Sequence, residues 1–338
     1  MSITETKGQP GVLIGSNDMP YGTEIRLAQA AEELGFSEFW YTDNKFVRDC
    51  FAGLALVSEH TSRIKVGPGV CDPYSRHPAM IAMGVATIDE ISGGRGQIGL
   101  STGGTGLPAM KIPKTRQIRA LREAIEIIRG LLSGEEVHYV GELFHCDGAR
   151  LGFEPPQGAD MPLFVASHAP QALSLAGQLA DGVLLSHTSS RDGLEAAVAT
   201  IRSGEAKADR ALGTTRVRIR LEACISATDG PAYDKMRPAV AKRLAGSFPN
   251  WEREEGFEPT PEILQAAEAR DVSALTGLLP DSAIRASCLV GSPESIREQL
   301  SQLFTADVDG LTIRPVLAEG QSMESSMALF MEEVWNKL

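Results

Sequence analysis

Residues 64–104 read IKVGPGVCDPYSRHPAMIAMGVATIDEISGGRGQIGLSTGG, in the order strand, loop, helix, strand, loop. No other stretch of the chain constrains the fold as tightly. Residues 64–67 are a short apolar run that leads into Gly67-Pro68-Gly69. Residues 77–92 set Met80, Ile81, Met83, Gly84, Ile88 and Ile91 at helical spacing. Gly93-Gly94 ends that helix, because glycine enters the left-handed cap without a steric penalty. Residues 97–100 form a second apolar strand, and Ser101-Thr102-Gly103-Gly104 follows it. Two strands joined by one helix make a right-handed βαβ unit. Both strands end in small residues that expose backbone, and in parallel α/β folds that end holds ligands.

The same rhythm extends along the chain. Strands are predicted at 12–14, 38–42, 163–166, 182–185, 217–227 and 310–314, with helices at 23–34, 50–60, 115–132, 170–179, from 194, from 292 to 304, and 322–338. Residues 137–156 interrupt the pattern and read as a hairpin-like excursion. Residues 230–285 read as a mostly helical insertion after strand seven, with the loop FPNWEREEGFEPTP inside it. Trp251 in that loop is a candidate lid or substrate wall. Eight strand–helix pairs predict an α/β fold of the (β/α)8 TIM-barrel type, with residues 1–338 as one domain. At 338 residues and 43% hydrophobic composition, the chain has ample material for one large core.

A formal net charge of −12 argues against nucleic acid as a partner and fits a protein that binds a small-molecule substrate. Cys50, Cys71, Cys146, Cys224 and Cys288 are scattered, odd in number and without CxxC spacing, which predicts reduced thiols in a cytoplasmic protein. The first ten residues are polar, without a signal-peptide core, and no apolar run has membrane-spanning length. His77, His145 and His187 lack metal-ligand spacing with acidic partners, so no metal site is expected. Ser101 and Ser186 lie outside any G-x-S-x-G elbow. No G-x-G-x-x-G opens the first helix, which argues against a nicotinamide site. Phe39-Trp40-Tyr41 reads as barrel wall rather than a stacking platform.

GPGVCDPYSRHPA, ATIDEISGGR and GQIGLSTGG resemble the luciferase-like flavin and deazaflavin oxidoreductases in order and spacing. The methylenetetrahydromethanopterin reductase branch is the most similar. TRQIRALREAIEIIRGLLSGE, PLFVASHAPQALSLAGQLADGVLLS and CLVGSPESIREQL extend the resemblance over nearly the whole chain, with a weaker patch at 230–285.

The resemblance implies a cofactor cradle at the strand ends. It implies a cis peptide at Gly69–Val70, bracing the back of the cofactor ring, where the bland alternative is a plain glycine-rich strand end. Relatives carry Asp-His where this chain has Asp43-Asn44. Asparagine donates a hydrogen bond but does not titrate, so the histidine's acid–base role does not carry over. Asp43 is either a cofactor contact or a helix cap. Asp72 and the pair Thr102-Gly103 match cofactor-contact positions. The glucose-6-phosphate dehydrogenase branch has an acid–base glutamate where this chain has Gly104, which argues against that chemistry. At the turn His168-Ala169-Pro170-Gln171-Ala172, the amides of Ala169, Gln171 and Ala172 are expected to meet a phosphate at a helix N-terminus. His168 is either a phosphate contact or surface. Arg76 and His77 are expected to fix the loop after the bulge.

The function implied is hydride transfer between coenzyme F420 and a small organic substrate, with Asp43 and Asn44 the only catalytic candidates. Two rivals stand beside it. One is an FMN-dependent monooxygenase supplied with reduced cofactor by a separate reductase. The other is a non-catalytic barrel relative. A homodimer is expected by resemblance.

Overall fold

The computed structural model describes residues 6–15, 19–20, 22–103, 106–186, 190–248 and 257–338. Gly104, His187 and Trp251, singled out above, lie outside the described residues.

In chain order the elements open with β1 (Gly11–Ile14), α1 (Thr23–Leu34), β2 (Glu38–Tyr41), α2 (Cys50–His60), β3 (Lys65–Pro68), α3 (Pro78–Ser92), β4 (Ile98–Leu100) and α4 (Gln117–Leu132). The hairpin β5 (Val137–Val140) and β6 (His145–Ala149) follows. The alternation resumes with β7 (Leu163–Ser167), α5 (Pro170–Leu179), β8 (Gly182–Ser186), α6 (Arg191–Lys207) and β9 (Arg216–Ile225). Four helices come next: α7 (Asp229–Ser247), α8 (Pro261–Glu268), α9 (Val272–Leu278) and α10 (Asp281–Arg285). The chain closes with β10 (Cys288–Gly291), α11 (Pro293–Leu303), β11 (Gly310–Pro315) and α12 (Met323–Leu329). This is the predicted (β/α)8 barrel, with its helical insertion after the seventh barrel strand, β9.

The chain divides into two compact units. One comprises residues 10–184 and 199–217, the other residues 1–9, 185–198 and 218–338. In the first unit β1 pairs in parallel with β2, and β2 with β3, so that Leu13 stands opposite Trp40 and Trp40 opposite Gly67. β4 pairs in parallel with β7, and bridges at Val66–Gly96 and Cys71–Leu100 link the third strand to the fourth. Leu13, Trp40, Phe164 and Leu184 form a buried cluster, with Val70 and Ala166 packed against it. Burying such side chains contributes roughly 1.5–3 kcal/mol each, and Phe39, Trp40 and Tyr41 are enclosed as the barrel-wall reading expects.

In the second unit β9 pairs in parallel with both β10 and β11. Met236, Val240, Leu244, Ile263, Leu275 and Ile284 from the insertion helices bury themselves on Cys224, Cys288 and Val290. The insertion is thus held by an apolar core that it shares with β9 and β10.

The structure departs from the sequence reading in three places. β10 was not predicted, because its four residues CLVG run directly into the Ser292 cap of α11 without an intervening turn signal. The final stretch is α-helical only to Leu329, then widens into a π turn at Phe330–Val334 and tightens at Trp335–Lys337. On α3, Ile81 and Ile88 are buried as predicted, yet Met80, Met83 and Ile91 are 49%, 43% and 37% exposed. The helix is apolar on two faces and buries only one. Within α4, Glu123 lies on the buried side. No described helix is long and apolar enough to cross a membrane.

Candidate functional site

Asp43 and Asp72, from the ends of β2 and the loop after β3, are brought together by a residue the sequence reading passed over. Lys45 Nζ lies 2.5 Å from Asp43 Oδ2 and 3.2 Å from Asp72 Oδ2. Asp72 is buried and held from behind. Its Oδ1 accepts the amides of Tyr74 (3.0 Å) and Ser75 (2.8 Å), and its Oδ2 accepts the Ser75 hydroxyl at 2.8 Å. Burial pulls the Lys45 pKa down, but Asp43 and Asp72 together outweigh it and leave the ammonium above its ordinary value. Lys45 is therefore a fixed cation at neutral pH. The signal available in the sequence was the D-N-K run, a lysine two residues past a strand-end aspartate. Asn44 donates to Thr42 Oγ1 at 3.1 Å.

The Gly69–Val70 peptide is cis, as the resemblance implies. The Gly69 amide donates to Tyr41 O at 2.7 Å. A Cβ on Gly69 would stand 2.6 Å from Leu13 Cδ1 and 2.8 Å from Trp40 Cβ, so no larger residue fits there. The ladder runs on past the strand ends: Cys71 N donates to Gly99 O, and Ser101 N to Cys71 O, both at 3.0 Å. Burial, and then the Asp43 charge, push the Cys71 thiol far up, so it is inert at neutral pH. Thr102 Oγ1 donates to Gln117 Oε1 at 3.0 Å. The amide of the exposed Gly103 donates to Ser101 Oγ at 3.0 Å.

Around the loop, Arg76 and His77 act as expected. Arg76 donates to Asp49 at 2.7 Å and lies 4.6 Å over the Phe51 ring. His77 Nδ1 accepts the Ala79 amide at 3.2 Å and caps α3.

At the turn into α5, the Ala169 amide donates to Ser167 Oγ at 3.0 Å. Gln171 and Ala172 sit in the first turn of α5, where backbone amides lack intrahelical acceptors. His168 is exposed. Beside this turn lies a cavity of about 610 Å³, lined by Ile118, Pro170, Gln171, Ser174, Ser203 and Lys207 among others. Lys207 Nζ reaches Ser174 Oγ at 3.5 Å.

A parallel barrel with its bare backbone and charged groups collected at the strand ends is a cofactor-holding scaffold. The chain belongs to the luciferase-like monooxygenase family, whose profile matches residues 3–310. It is 32% identical over 332 residues to the 5,10-methylenetetrahydromethanopterin reductase of Archaeoglobus fulgidus, spanning 95% of this chain and 97% of that one. The coenzyme F420 dependent tetrahydromethanopterin reductase from Methanopyrus kandleri matches with a TM-score of 0.87 at 28% identity, over 97% of this chain and 99% of that one. The monooxygenase RslO1 from Streptomyces bottropensis shares the fold, with a TM-score of 0.71 at 20% identity over 97% of this chain and 99% of that one.

Proposed function

We propose that this protein is an F420-dependent oxidoreductase that passes a hydride between the deazaflavin and a small organic substrate. The observation that carries this reading is the end-to-end kinship with the methanopterin reductases, in sequence and in fold. Likeness to the monooxygenase structure is one of fold alone, which hosts many chemistries.

The residues present suit the cofactor. Gly69 leaves the backbone bare at the strand end, with the half-buried Val70 next to it, and Gly103 adds no side chain at the neighbouring strand end. The cavity beside α5, with Lys207, two serines and the first-turn amides of Gln171 and Ala172, suits an acidic side chain. When bound, the deazaflavin supplies the hydride chemistry at its C5. Asp43, Asp72, Thr102 and Gly103 are the proposed ring-side contacts. His168, Ala169, Gln171 and Ala172 are the proposed phosphate-side contacts, with Ala169 supplying surface rather than its amide. Lys45 holds Asp43 and Asp72 in place and keeps its proton. Asn44 orients by hydrogen bonding and moves no proton.

The 338 residues are read as one barrel domain with 230–285 as its helical insertion. The five cysteines, all free and buried, support a reducing, cytoplasmic setting. The exposed Met80, Met83 and Ile91 support a homodimer. A separate reductase supplying reduced cofactor is the partner expected when hydride flows to the substrate.

The test is a titration of purified protein with F420 and with FMN, followed by fluorescence quenching. Saturable F420 binding is expected. Binding of FMN alone overturns the proposal in favour of the monooxygenase, and binding of neither favours a non-catalytic barrel.

A further inference from the structure

The paired strands β9 and β11 carry a column of charge that the deazaflavin reading does not use. Their register sets Arg218 opposite Gly310, Arg220 opposite Thr312, and Glu222 opposite Arg314. Paired residues of parallel strands project from the same face.

The outer two rungs each carry polar contacts. Arg218 donates to Leu311 O at 2.9 Å, its guanidinium lying where a side chain at Gly310 would otherwise stand. Glu222 accepts from Arg314 at 3.2 Å, and Arg243 of α7 approaches its other oxygen at 3.7 Å. Glu222 is thus already shared by two guanidinium groups.

The middle rung is not satisfied. Arg220 Nε is sealed from solvent and has no hydrogen-bond partner among the described residues. Thr312 is fully buried, and its hydroxyl is likewise without a partner among the described residues. Burial, and then the like charge of Arg314, disfavour the Arg220 cation, while Glu222 partly offsets them. A sealed donor, a buried hydroxyl and a surplus of positive charge in one rung are costly unless an acceptor arrives.

The structure assigns this rung as an oxyanion site: the Arg220 guanidinium and the Thr312 hydroxyl together bind the carboxylate or phosphate of a small molecule. A planar guanidinium matches both groups through paired N–H donors, and the hydroxyl adds a further donor from the neighbouring strand. The site stands independently of the deazaflavin proposal, because its residues are not among the cofactor contacts.

The test melts the full-length protein, without added deazaflavin, in rising concentrations of inorganic phosphate or of acetate, with ionic strength held constant by sodium chloride. One anion is expected to raise the melting temperature saturably, and the anion with the lower midpoint identifies phosphate or carboxylate. Arg220→Gln should move that midpoint up by about tenfold or more, and Thr312→Val by a few-fold, as expected for the loss of a charged and of a neutral hydrogen bond. Arg220→Lys, which keeps the charge but not the fork, should fall between wild type and Arg220→Gln. Absence of a saturable rise with either anion overturns the assignment. So does a rise that survives both Arg220→Gln and Thr312→Val, since the anion then binds elsewhere. If Arg220→Gln does not fold, Thr312→Val decides alone.

Discussion

Lys45 stands between two carboxylates from different strand ends, 2.5 Å from Asp43 and 3.2 Å from Asp72. All three side chains are largely withdrawn from water, at 11%, 4% and 3% exposure. Removing the cation leaves two buried anions facing each other. Lys45→Met is therefore expected to destabilise the protein by about 3–5 kcal/mol. Adding Asp43→Asn should recover part of the loss. Chemical denaturation at neutral pH measures the loss and the recovery.

Glu123 makes stability depend on pH. Its carboxylate, buried on α4, accepts the amides of Glu142 at 2.8 Å and of Leu143 and Phe144 at 3.0 Å, pinning the turn between β5 and β6. Burial raises its pKa, but the three amides lower it further, so the folded value lies below the ordinary 4.5. A lowered carboxylate pKa stabilises the fold fully above pH 4.5 and loses that contribution as pH falls through the folded value. Glu123→Gln turns a donor toward these amides and should cost about 1–3 kcal/mol at neutral pH. The gap between wild type and variant should shrink below pH 4.5. A gap independent of pH in thermal melts would count against the carboxylate's role.

These two cases show what the sequence disclosed. The parallel strands other than β10 were legible because apolar runs bounded by glycine alternate with helical spacing, and tertiary packing follows that pattern. Asp43 and Asp72 were legible as strand-end residues. Lys45 was not, because what makes it central is a contact made across 27 positions of sequence, between the ends of two strands. Glu123 was hidden for a related reason: a glutamate on an amphipathic helix reads as solvent-facing until the hairpin that needs its oxygens is in place. Met80, Met83 and Ile91 fell within an apolar run that helical periodicity assigns to the core, yet the helix has only one buried face. The bond from the Ala169 amide to a serine two residues upstream was not legible either, being a local contact that competes with other acceptors.

Helices α5 and α6 touch backbone to backbone. A Cβ on Gly177 would stand 2.2 Å from Ile201 O, and one on Gly204 would stand 2.2 Å from Ser174 O. Alanine improves intrinsic helix propensity by about 1 kcal/mol over glycine. Here the overlap with rigid backbone should outweigh that gain, and Gly177→Ala or Gly204→Ala should each destabilise by about 1–3 kcal/mol. Equilibrium unfolding checks the sign, which propensity alone would reverse.

Lys207 brings a positive charge to the cavity beside the first turn of α5. If that cavity takes the acidic side chain of the deazaflavin, Lys207→Ala should weaken F420 binding by about tenfold, the worth of one charge-assisted contact. The difference should diminish at high salt, since a contact open to water is screened. Fluorescence titrations at low and high ionic strength read both, with the melting temperature as a control for folding.

Met80, Met83 and Ile91 form an exposed apolar face on α3, three side chains spaced so that they share one side of the helix. The homodimer proposed above would cover exposed apolar side chains grouped in this way. Phe51 of α2 packs against Gly84, where a Cβ would meet the ring at 2.6 Å, so this helix pair offers a fixed surface rather than a loose one. A second copy of the chain, meeting it through the same face, would bury the methionines against each other. Met83→Glu puts a charge at the middle of that face without touching the buried side, so it should leave the melting curve of the monomer fold intact while shifting the protein from dimer to monomer. Sedimentation velocity at several concentrations measures the shift. A wild-type protein that is monomeric throughout, or a variant that remains dimeric, places the interface elsewhere or removes it.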